Sequence, residues 1–134
     1  MQAPEPFEPD HFEIRGDIAY YRPRGSYAEF RLAVAAVARG MAHAVRQPGV
    51  RRMLVNSSEL SGFPPPTMMD RYEMGKLWAE SEAGSGIHIA LVARAELIDP
   101  KKFGALVATN RGTSNDVFTN EEDALRWLAQ FAEK

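Results

Sequence analysis

Short apolar runs of strand length alternate along this chain with longer segments in which apolar residues recur every three or four positions. The central run is Met53-Leu54-Val55, set between Arg51-Arg52 and a polar break at Asn56-Ser57-Ser58. An unbroken apolar run bounded by turn residues marks a strand covered on both faces. Ile87–Ala93, IHIALVA, is the clearest such run, and Asp116–Phe118 is a minimal one. Nearer the N-terminus, His11–Ile14 and Ile18–Arg22 are β-type runs joined by Gly16-Asp17. That dipeptide predicts a hairpin, because Ile18, Tyr20 and Arg22 alternate with Ala19 and Tyr21.

The helical segments carry their own start and stop signals. Ser26-Tyr27-Ala28-Glu29 reads as a capping box, in which the serine oxygen accepts from the Glu29 amide and the Glu29 carboxylate reaches back. The helix it opens should run to about Arg46, before Gln47-Pro48-Gly49. Phe30, Val34, Val37, Met41 and Ala44 form its core stripe, and Arg39, His43 and Arg46 read as a solvated face or, alternatively, a docking surface for an anionic partner or lipid headgroups. Thr67 with Asp70 is a second box-like pattern, opening a helix to about Glu82. Its apolar residues split: Met74, Leu77 and Trp78 lie on one side, with Met68, Tyr72 and Ala79 more than a right angle away and Met69 further round. Asp99-Pro100 predicts a short helix with Phe103, Leu106 and Val107 inside, ended by Asn110-Arg111-Gly112. Thr119-Asn120-Glu121-Glu122 reads as a further box, before a helix with Ala124, Trp127, Leu128 and Phe131 on one stripe.

Strands alternating with helices imply right-handed crossovers and a largely parallel sheet. The expectation is an α/β sandwich: a mostly parallel central sheet, an antiparallel N-terminal hairpin strand and about four helices. Residues 1–10, MQAPEPFEPD, hold three prolines and three acids around one phenylalanine and read as a flexible tail. Residues 11–134 read as a single domain.

Composition narrows the chemistry. The chain has 134 residues, 45% of them hydrophobic, which suffices for one core. A net charge of −2 gives no reason to expect nucleic acid. The absence of cysteine removes disulfides, thiolate metal sites and cysteine nucleophiles. No apolar run approaches a bilayer span and the N-terminus lacks a signal-peptide core, so the expected location is cytoplasmic, with membrane contact at most peripheral. The three histidines stand singly, without metal-ligand spacing, and His88 within IHIALVA reads as a hydrogen-bonded core residue. Phosphate-loop and nucleophile-elbow motifs do not occur, since Gly84-Ser85-Gly86 precedes a strand. Neither enzyme chemistry nor a metal or cofactor is expected.

The hairpin with RPRGSYAEF, the strand RRMLVNSSELSGF, the strand IHIALVA and the ending VFTNEEDALRWL together resemble the SpoIIAA-like branch of the STAS family (sulfate-transporter and anti-sigma-factor-antagonist domains). The likeness runs from His11 on. It implies a SpoIIAA-like sandwich and a non-catalytic regulatory domain acting through protein–protein contact. Signalling members of that family carry a phosphorylatable serine in an Asp-Ser-Ser-Gly-Leu-Gly-like motif after the central strand. Here the same ground is Pro64-Pro65-Pro66-Thr67. Thr67 is the only hydroxyl near the phosphoacceptor position, and capping already explains it.

Two binding classes follow. One is a protein–protein module, regulatory or a homodimer. The other holds a small apolar or lipid-like molecule beneath the proline loop and the second long helix, because ligands of open α/β sheets sit outside the carboxyl ends of the strands. The residues expected at that edge are Asn56, Ser57, Ser58, Pro64, Pro65, Pro66, Met68, Met69 and Tyr72, with methionines and an aromatic beside hydroxyls.

Overall fold

A computed structural model describes residues 10–99, 102 and 114–132. The helix expected after Asp99-Pro100 and most of the N-terminal tail lie outside these residues. The hairpin comes first: β1 (Phe12–Arg15) and β2 (Ile18–Tyr21) pair antiparallel, Arg15 opposite Ile18. Gly16 takes φ +62°, a conformation that a two-residue hairpin turn requires and glycine adopts without strain.

β2 then pairs in parallel with β4 (Arg52–Asn56), β4 with β6 (His88–Val92), and β6 with β7 (Ser114–Phe118). Among the described residues the main sheet has the order β1-β2-β4-β6-β7. The expected α/β class, mostly parallel with one antiparallel strand, is therefore what the chain adopts. Three α-helices are described: α1 (Phe30–Val45), α2 (Met68–Glu82) and α3 (Glu121–Ala129).

Side chains alternate across the sheet, so β2, β4, β6 and β7 feed two cores. Ala19, Tyr21, Met53, Val55, Ile89 and Leu91 point to the face covered by α1 and α2, where Val34, Val37, Met41 and Trp78 meet them. Leu54, Ala90 and Val92 point to the other face, against Ala124 and Leu128 of α3. Leu54 is fully buried, as a strand covered on both sides demands. α1 lies close on the hairpin because Gly40 has no side chain, and a Cβ there would collide with the ring of Tyr21.

Two helix starts differ from their predicted caps. Ser26 does not cap α1. Gly25–Ser26 forms a short strand, β3, parallel to β5 (Leu60–Ser61), and the Tyr27 amide donates to Ser61 O at 2.8 Å. The backbone is thus held extended through Ser26, and α1 begins only after Glu29, whose side chain makes no capping bond. At the last helix the cap is Asn120, not Thr119: its Oδ1 accepts from the Asp123 amide at 2.8 Å. Strand pairing persists to Phe118, which moves the helix start one residue along. Thr67 does cap α2, with Asp70 N donating to Thr67 Oγ1 at 3.0 Å and Thr67 N to Asp70 Oδ2 at 2.8 Å.

Candidate functional site

A half-open cavity of about 80 Å³ lies at the carboxyl ends of the strands. From α1 come Phe30, Val34 and Val37, and from the segment after β4 come Ser57, Leu60 and Phe63. α2 contributes Arg71, Met74 and Trp78, and the far side is made by Leu91, Leu97 and Ile98. Asp99 and Lys102 reach its rim. The walls are apolar and the polar groups few, the usual constitution of a small-molecule site.

Local hydrogen bonds fix this shape. The amide and hydroxyl of Ser57 both donate to Val92 O, at 2.8 and 3.0 Å, tying the end of β4 to the end of β6. Leu60 N donates to Ser57 O at 3.0 Å, closing a turn that drives the Leu60 side chain inward until it is 3% exposed. Phe63 meets Phe30 edge to face. Pro64-Pro65-Pro66 then carries the chain to the Thr67 cap, and Arg71 donates to Pro66 O at 3.1 Å and Leu97 O at 3.2 Å. One side chain therefore clamps the proline loop to the 3₁₀ turn at Ala95–Leu97.

The residues expected at this edge separate into three groups. Ser57 lines the cavity. Asn56 and Ser58 turn toward the opposite face of the sheet: Ser58 N and Oγ donate to Asn56 Oδ1 at 3.0 and 2.6 Å, and Asn56 Nδ2 donates to Glu121 Oε2 at 2.8 Å. Arg22 grips the same carboxylate with two bonds of 2.8 Å. The Arg22 guanidinium, and then Asn56, hold the Glu121 carboxyl below the usual range, and the network pins the start of α3. Met68, Met69 and Tyr72 stay outside the cavity on the surface, 55%, 65% and 36% exposed. Pro64 and Pro65 are exposed and Pro66 is half-buried.

Sequence reasoning passed over Arg71, whose spacing held a signal. Arg71, Met74 and Trp78 recur at intervals of three and four, so an arginine shares the inward stripe of α2. The chain matches no known protein-family model, no curated protein and no solved structure.

The amino ends of the strands are built differently. Arg52 forks onto Asp17 at 2.9 and 2.5 Å and donates to Leu128 O at 3.1 Å. Hydrogen bonding to Arg52 holds the Asp17 carboxyl below its ordinary range. His88 Nδ1 lies 2.8 Å from Ser114 Oγ, with its ring stacked on Phe131. Burial, then the charges of Arg51 and Arg52, push its pKa down. Glu82, at the end of α2, is 3% exposed; burial pushes its pKa up to about 8, against the opposing bond from Asn115 Nδ2 at 3.4 Å. Among the described residues no cluster of His, Asp or Glu is placed to hold a metal ion, and no helix is long and apolar enough to cross a membrane.

Proposed function

We propose that this chain is a SpoIIAA-like binding and regulatory domain of the cytoplasm, acting without catalysis. Its working site is the apolar cavity at the carboxyl end of the sheet, which takes a small apolar or amphipathic molecule. One observation carries the reading: a cavity walled by Phe30, Val34, Leu60, Phe63 and Trp78 lies at the strand edge where open α/β sheets bind ligands. The hydroxyl of Ser57 is already spent on Val92 O, so the wall offers shape and apolar contact more than reactive groups.

A second reading rests on a different surface. Met68, Met69 and Tyr72 present exposed apolar area on the first turns of α2, just after three prolines that restrict the loop before any encounter. A protein partner or a second copy of this chain would bury them.

Native mass spectrometry of gently purified protein, before and after extraction with organic solvent, separates the two. A small mass lost on extraction supports the cavity reading. A salt-stable dimer with no retained mass favours the α2 surface. A bare monomer that also takes up no added apolar compound contradicts the cavity reading.

A further inference from the structure

We infer that the molecule held in this cavity is a short aliphatic carboxylate, its alkyl part among the apolar walls and its anionic end at Arg71. The inference rests on the cavity being the binding site. Arg71 reaches the cavity from α2 alongside Met74 and Trp78, and its two bonds go to the neutral carbonyls of Pro66 and Leu97. A guanidinium has five N–H donors, so three remain for another acceptor.

Its charge is what sets it apart. The half-buried Arg22 and Arg52 are each forked onto a carboxylate, Glu121 and Asp17. Lys102, on the same rim as Arg71, is paired with Asp116 at 2.8 Å. Asp99, the acid on that rim, has an interaction of its own. No carboxylate among the described residues pairs with Arg71. A cation at the lip of an apolar cavity loses solvation when a ligand covers it, and an anionic ligand end restores what a neutral end does not. The volume limits the part held inside: about 80 Å³ takes only a short alkyl group within the walls.

Trp78 lies in the cavity wall and provides the readout, and the chain's other tryptophan, Trp127, packs on the opposite face. In the full chain carrying Trp127→Phe, hexanoate and hexanol are titrated while Trp78 emission is followed. Hexanoate should bind at least about tenfold more tightly than hexanol, the increment of a charge-assisted hydrogen bond. Arg71→Gln should erase that preference, and Arg71→Lys should keep part of it. Hexanol binding as tightly as hexanoate overturns the anionic ligand and leaves the cavity reading standing. A preference unchanged by Arg71→Gln overturns the assignment to Arg71. Binding of neither compound removes the cavity reading as well. Should Arg71→Gln fail to fold, hexanamide on the unsubstituted Arg71 chain carries the test, since hexanamide binding as tightly as hexanoate overturns the inference.

Discussion

At the amino ends of the strands, Arg52 spends its fork on Asp17 and a third bond on Leu128 O, and His88 is held between Ser114 and Phe131. At the carboxyl ends, Arg71 spends two bonds on carbonyls, pairs with no carboxylate among the described residues and stands beside a cavity. Both ends use an arginine to join distant segments of chain. Only at one end does the joining consume the charge. Arg52, Asp17 and His88, satisfied by their neighbours, make a closed end whose work is stability, whereas a cation left over beside apolar walls is suited to something that arrives later.

Both ends depend on the same sheet, so the largest effect comes from breaking it. Leu54→Asp should abolish the cooperative thermal transition, because it places an unpaired charge between β4 and α3. A melt near the parent temperature would contradict the two-faced burial of β4.

Glu82 sharpens the comparison through pH. Its folded-state pKa is raised to about 8 from 4.5, so the folded chain binds the proton more tightly than the unfolded chain. Ionisation therefore costs stability progressively as pH rises from about 4.5 to about 8, with nothing further beyond. The stability of Glu82→Gln relative to the parent should climb across that window by on the order of a few kcal/mol and then level off. Chemical denaturation at several pH values measures it, and a difference independent of pH would show that Glu82 is solvated. Asp17 works in the opposite sense. Its lowered pKa contributes stability that is present above about 3.8 and lost as pH falls further.

The two arginines give the most direct contrast. Arg52→Met should cost on the order of 2 kcal/mol, since it strands the half-buried Asp17 carboxylate and removes the bond to Leu128 O. Arg71→Gln should cost about 1 kcal/mol, the value of the carbonyl bonds it weakens. Equal losses in denaturation would erase the distinction between a structural end and a binding end. Smaller still are the effects at the start of α2. Thr67→Ala should cost about 1 kcal/mol as the loss of an N-cap. Met68→Gln with Met69→Gln should stay within about 0.5 kcal/mol, as exposed substitutions do. A loss of several kcal/mol from the methionine pair would place those side chains in a packed core.

Much of this architecture was legible in the chain. Apolar runs marked β4 and β6, Gly16-Asp17 marked the hairpin, and Thr67 with Asp70 marked the start of α2, because each signal is local. Ser26 misled, since its backbone pairs with Ser61, thirty-five positions away, and a local capping pattern cannot reveal a partner that distant. The site was half legible. The strand edge was visible, but α2 lacks a single apolar stripe, and it buries Gly75, Trp78, Ala79 and Glu82 together. A buried acid and a glycine on the inner face, with two exposed methionines at the start, reverse what hydrophobicity suggests about which side faces in. Arg71 shares its spacing with Met74 and Trp78, which marks the inner stripe, but only the packed helices show that it borders a cavity.

The central claim, that the carboxyl-end cavity is the binding site, is tested most directly by a methyl-resolved NMR titration of the full chain with hexanoate. Leu60, Leu91 and Leu97 line the cavity, whereas Leu54 and Leu128 pack on the other face of the sheet. The account predicts saturable shifts at the first three and none at the other two. Shifts confined to Met68 and Met69, or spread evenly over both faces, would contradict it.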